Sequence, residues 1–186
     1  MQRSPVGEMP KAERAGCANY RVNPTAISLT LWTRSFILRQ TPQTGRTGRA
    51  VAAIEEILTR SKVIAVVGLS DRPDRPSHEV AAYLQAQGYR IIPVNPALKA
   101  PVLGEQPYAR LEDVQEHVDI VDIFRRPVDV PPVVDAAIAV GASAVWMQLG
   151  IVHEEAAEKA RAAGIDVVMD RCTAIELRAL LNDRKT

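Results

Sequence analysis

Side chains suited to phosphate gather at three short places in this 186-residue chain. Residues 68–77, "GLSDRPDRPS", bring Gly68, Ser70, Asp71, Arg72, Arg75, Pro76 and Ser77 into one turn-rich stretch. "NPALK" supplies Asn95, Pro96 and Lys99, and "FRRP" supplies Phe124, Arg125 and Arg126. Guanidinium and ammonium groups form charge-assisted hydrogen bonds to phosphate oxygens, and the open amides at a helix start add partial positive charge. This combination favours capture of a phosphorylated small molecule.

Covalent chemistry is harder to find. His78 lies at a predicted helix start, His117 in a polar segment and His153 just after "GIV", and none has an evident acid or base partner in the sequence. Asp119 and Asp122 fall in a predicted strand, where helix caps or a neighbouring arginine are the expected partners. Arg125 and Arg126 are within reach of Asp122 or Asp129. No His/Cys/Asp spacing matches a metal site, and Cys17 and Cys172 are too far apart and too few to form a disulfide framework. We therefore expect neither a catalytic group nor a metal. Cys172, next to Arg171, is expected to be a small buried apolar residue, with a thiol that reacts at the sheet edge as the alternative.

The elements that must position these groups follow from periodicity. Short β-branched runs at 63–68, 90–95, 118–124, 144–150 and 165–170 read as five strands. Helical patterns at 77–87, 130–140 and 153–163 each stop at a glycine, Gly88, Gly141 or Gly164, shortly before the next strand. Further helices are predicted from "AVAAIEEIL" before the first strand and "TAIELRALL" at the end. Residues 96–117 carry three prolines and Gly104 and are expected to be loop, with at most a short helix near Leu111 to Glu116. Strands apolar on consecutive residues are covered on both faces. The predicted fold is α/β: a doubly wound, Rossmann-like, parallel five-stranded sheet in a single domain over 51–186. The three cationic clusters then fall at carboxyl ends of strands, where such sheets bind ligands.

The details argue against a dinucleotide. Only Gly68 matches the G-x-G-x-x-G turn, and the second strand ends "PVNPALK" without the acid that would hold a ribose 2′-hydroxyl. Lys99 stands near that position and would attract a phosphate on the ribose, which leaves NADP open as a second ligand.

The stretches "IAVVGLSDRPDRPSHEVAAYLQAQGYRIIPVNP", "VLG", "VDIVDIFRRP", "AVWMQLG" and "DRC", in that order, resemble the bacterial CoA-binding protein family. These are stand-alone versions of the CoA-binding Rossmann domain at the N-terminus of the succinyl-CoA synthetase α subunit. The resemblance runs over about residues 51 to 182. It implies coenzyme A or acyl-CoA as the ligand: the loop Gly68 to Ser77 against the diphosphate, Asn95 to Lys99 against the adenosine and its 3′-phosphate, and Phe124 to Pro127 along the border. This chain departs from the synthetase in having no glycine-flanked histidine like its phosphohistidine. A binder without catalytic groups is thus the first expectation. A CoA-binding component of an acyl-CoA synthetase-like enzyme with a separate catalytic subunit is the second, and an NAD(P)-binding redox sensor the third. A homodimer and a synthetase-like partner subunit are the partners considered.

Charge divides the chain unevenly. Residues 1–50 hold eight Lys/Arg and two Glu, net +6, and residues 51–186 hold 15 basic and 20 acidic groups, net −5. The near-neutral total gives no electrostatic case for nucleic acid, and no apolar run is long enough for a bilayer. Cysteine usage fits a cytoplasmic location. Residues 1–50 are expected to be a mostly disordered extension, in which only Ala26 to Leu38 could order itself. The composition also fits a transit peptide or a non-native extension, although Glu8 and Glu13 count against the former.

Overall fold

A computed structural model describes residues 53–184. The extension 1–50, with Ala26 to Leu38 and Cys17, lies outside the described residues. Five strands form one sheet: β1 (Val63–Val67), β2 (Arg90–Val94), β3 (Ile120–Ile123), β4 (Ala144–Met147) and β5 (Asp166–Val168). All pairings are parallel and the order is β2-β1-β3-β4-β5. Five helices cover it: α1 (53–60), α2 (Pro76–Ala86), α3 (Val130–Ala139), α4 (Glu154–Ala162) and α5 (Thr173–Asp183).

Alternation along the strands builds two cores. Ala65, Val67, Val121, Ile123, Val145 and Met147 point to one face, beneath Val134 of α3 and Ala157 of α4. Ile64, Val66, Ile120, Ala144 and Trp146 point to the other, beneath Leu58 of α1, Leu84 of α2 and Leu177 of α5. Burial on both sides explains the unbroken apolar runs and confirms the doubly wound α/β, Rossmann-like fold. Trp146 is wholly buried, and its indole N–H donates to the Arg171 carbonyl at 2.6 Å. Asp119 caps the entry to the sheet: its carboxylate accepts the N–H groups of Lys62 and Val63 at 2.7 and 2.9 Å. It also lies 3.5 Å from His117, an acid partner that the sequence had not revealed.

The strands stop earlier than the apolar runs do. "AVWMQLG" is paired only to Met147, and "VDIVDIF" only from Ile120 to Ile123. Within 96–117 the expected short helix is a single 3-10 turn, Leu111–Asp113. The rest of that loop is tied to the edge strand: the Tyr108 N–H donates to the Pro93 carbonyl at 2.8 Å and the Asn95 N–H to the Tyr108 carbonyl at 2.9 Å. Proline is tolerated at Pro93 because β2 is an edge strand paired on one side by β1.

Candidate functional site

The order β2-β1-β3 means that the chain winds one way from β1 to β2 and the other way from β3 onward. The connections that leave β1 and β3 therefore run to opposite faces of the sheet and leave a crevice above the two exits. Gly68 and Phe124 bring these exits together. Gly68 has φ of +94°, and a Cβ there would lie 2.5 Å from the Phe124 carbonyl oxygen, so only glycine allows the approach. The Phe124 N–H donates to the Val67 carbonyl at 2.9 Å, and the Gly68 N–H to the Val94 carbonyl at 2.9 Å.

The loop that follows is held by its own residues. The Ser70 N–H donates to the buried Ser77 hydroxyl at 3.1 Å, and the Arg72 N–H donates to the Ser70 hydroxyl at 3.2 Å. His78 Nδ1 lies 3.0 Å from the Ser70 carbonyl, which requires the proton on Nδ1. Pro76 begins α2 after Arg75, and no side chain caps this helix start. Pro76 has no N–H and the His78 N–H donates to the Arg75 carbonyl at 2.9 Å, so the Ser77 N–H is the first-turn amide left open to an anion.

The predicted cations differ in what they touch. Arg72 is engaged by Asp74 through two hydrogen bonds, 2.7 and 3.1 Å, and Arg126 by Asp129 at 2.9 and 3.3 Å. The Arg126 guanidinium beside Asp129 holds that carboxyl below its ordinary range. Of the two aspartates considered as partners of Arg125 and Arg126, only Asp129 is one. Lys99 is exposed and donates to the Pro96 carbonyl at 3.2 Å. Among the described residues Arg75 and Arg125 form no ion pair, although the Arg125 charge, after that of Arg126, helps to lower the Asp129 carboxyl. Asp71 is exposed.

Two hollows open on either side of Arg125. One, of about 230 Å³, is lined by Val94, Pro96, Arg110, Leu111 and Arg125. The other, of about 540 Å³, is lined by Pro76, Val80, Phe124, Arg125, Arg126, Gln148, Leu149, Ile151 and Cys172. Together these bring Pro76, Pro96, Phe124, Arg125 and Arg126 to one edge, whereas Asp71, Arg72, Arg75 and Lys99 stand outside the hollow walls. Asn95 has a different task. Its Nδ2 donates to the Leu69 carbonyl at 2.8 Å and its Oδ1 accepts the Ala97 N–H at 3.1 Å, which fastens the β2 exit to the β1 loop. Arg110 was missed in the sequence because it lies in a proline-rich loop with no periodicity. Cys172 is half-buried and lines the larger hollow, in contrast to the buried position expected for it.

Behind the larger hollow, Asp122 is completely buried. Gln148 Nε2 donates to its two carboxylate oxygens at 2.8 and 3.0 Å and to Thr173 Oγ1 at 2.8 Å. The Thr173 hydroxyl donates to Asp122 Oδ2 at 3.1 Å. Burial pushes the Asp122 carboxyl up to about 7, and these hydrogen bonds oppose that rise. The cluster links β3, the β4 exit and the start of α5. Among the described residues no group of three or more His, Cys, Asp or Glu could hold a metal ion, and no helix is long and apolar enough to cross a membrane.

This architecture has relatives. Residues 62–178 match the family model described as CoA binding domain. The chain is 46% identical over 121 residues to the uncharacterized protein YneT of Bacillus subtilis, a span that covers 65% of this chain and 89% of that protein. A solved Thermus thermophilus structure is 40% identical with a TM-score of 0.68, covering 70% of this chain and 98% of the other. A dinucleotide-forming acetyl-coenzyme A synthetase of Ca. Korarchaeum cryptofilum is 23% identical with a TM-score of 0.53, over 59% of this chain and 26% of that one, and there the likeness is one of fold. Because the family match takes in well over half of the residues and includes every strand of the sheet, the chain belongs to the CoA-binding domain family.

Proposed function

We propose that the protein binds coenzyme A or acyl-CoA across the carboxyl edge of its sheet, without catalytic groups of its own. In this reading the diphosphate lies over Gly68 to Ser77, against the uncapped start of α2, with Arg75 free to pair with it. The adenosine occupies the smaller hollow beside Pro96, and Lys99 meets the 3′-phosphate. Asn95 contributes by holding the loop rather than by touching the ligand. Phe124, Arg125 and Arg126 border the path between the two hollows.

The observation that carries this reading is the position of Arg125. It is half-buried, makes no ion pair among the described residues and lines both hollows at the β1/β3 crevice. An arginine held there with no carboxylate in ion-pair contact is poised for an anionic ligand, since such a charge gains most from a phosphate brought into the same partly desolvated place.

Isothermal titration with CoA, dephospho-CoA, NAD and NADP tests it. CoA should bind best, and Arg125→Ala should weaken it about tenfold or more, the loss expected for charge-assisted bonds. Lys99→Ala should weaken CoA but leave dephospho-CoA nearly unchanged. Tighter binding of NADP than of CoA, or an unaltered affinity in Arg125→Ala, would overturn the assignment.

A further inference from the structure

The hollow of about 540 Å³ is larger than a phosphate contact needs, and it has the wrong chemistry for one. Apart from the arginines at one rim, its walls are almost entirely carbon, from Val80, Phe124, Leu149 and Ile151 among others. Leu149 is 59% exposed at the mouth, an apolar side chain with nothing over it. The hollow is continuous with the phosphate-binding edge, because Pro76 at the start of α2 and Arg125 belong to both.

Besides the Cys172 thiol, one polar group reaches this apolar space. Gln148 is only 4% exposed and lines the hollow. Its Nε2 is consumed by Asp122 and Thr173. Its Oε1 has no partner among the described residues. Among the described residues no fully buried side-chain oxygen lacks a partner, so this one retains some exposure at the hollow that Gln148 lines. A strong acceptor in a hollow lined otherwise by carbon, one thiol and the arginines of its rim asks for one N–H donor flanked by apolar groups.

We propose that this hollow seats the acyl chain of an acyl-CoA, with Gln148 Oε1 accepting the amide N–H that precedes the sulfur in the pantetheine arm. The assignment rests on the CoA reading above and narrows it: the preferred ligand is an acyl thioester with an apolar chain rather than free CoA. The chain passes the thioester and lies against Val80, Phe124, Leu149 and Ile151, covering the exposed Leu149. Free CoA would leave this surface wet.

The test is a chain-length series of CoA, acetyl-CoA, butyryl-CoA and hexanoyl-CoA, measured by titration calorimetry on the full chain, with sedimentation velocity alongside. Affinity should rise about two- to fourfold per methylene, the gain for a partly to fully buried CH₂. Leu149→Ser, at an exposed position that folding does not depend on, should flatten that slope, read as the ratio of hexanoyl-CoA to CoA affinity within each protein. Equal affinities for CoA and hexanoyl-CoA would overturn the acyl assignment and leave the CoA reading intact. Failure of every CoA compound to bind would remove both. A parent that self-associates through Leu149 and shows no chain-length slope would make the hollow an interface between two copies, and the acyl assignment would again be wrong.

Discussion

Ser77, on the first turn of α2, holds Ser70: its buried hydroxyl accepts the Ser70 N–H at 3.1 Å across seven residues of loop. The loop is thereby closed before any ligand arrives, and its ordering cost is met at folding rather than at binding. Ser77→Ala should leave the Ser70 amide without its partner. The expected result is CoA binding weakened severalfold with stability lowered by about 1 kcal/mol, checked by calorimetry and urea unfolding. Unchanged affinity would show that the loop's shape does not depend on this bond.

Gly68→Ala is the more severe change. The substitution combines a φ of +94° with a Cβ 2.5 Å from a backbone oxygen, and backbone cannot step aside as a flexible side chain can. A loss of about 3 kcal/mol or more is expected, seen as a lower urea midpoint at an unaltered m value. An unchanged midpoint would mean that β1 and β3 can separate at little cost.

The arginines of the loop should rank unequally. Arg72 must give up the Asp74 pair to reach a phosphate, whereas Arg75 has no such tie. That exposed pair is worth at most about 1 kcal/mol, but it biases the side chain away from the site. Arg75→Ala should therefore weaken CoA about tenfold and Arg72→Ala clearly less, with both effects shrinking as salt is added. The reverse ranking would place the diphosphate over Arg72.

Asp122 gives the fold a pH dependence of definite sign. Unfolded, the carboxyl ionises near its ordinary 3.8, while in the folded protein it holds its proton to about 7. Between these values the folded state binds a proton that the unfolded chain has released. This group's contribution to stability is therefore full below about pH 4, declines as pH rises toward 7, and is level above that. The decline is at most about 1.4 kcal/mol per pH unit. Asp122→Asn should remove it: between pH 5 and 7.5 the unfolding free energy of the variant should change less steeply than that of the parent. Parallel pH curves would show that Asp122 is already charged in the fold.

The strand count, the parallel sheet, the helix stops at Gly88, Gly141 and Gly164 and the loop between β1 and α2 were all legible in the sequence. Each is written in a local pattern: runs of β-branched residues, a 3.6-residue apolar spacing, or a glycine where the chain must turn left-handed. What could not be read was which groups meet. Gln148 finds Asp122 across 26 residues, Thr173 finds it across 51, and Asn95 reaches back 26 residues to the Leu69 carbonyl. Those distances are set by the parallel register and by the crossovers between strands, not by neighbours in the chain. The same is true of the cations. Arg72 and Arg75 are alike in type and loop, and Arg125 and Arg126 are adjacent, yet folding pairs one of each with an aspartate and leaves the other without an ion pair among the described residues. A side chain's identity states what it can bind, and only the packing around it decides whether that capacity is already spent.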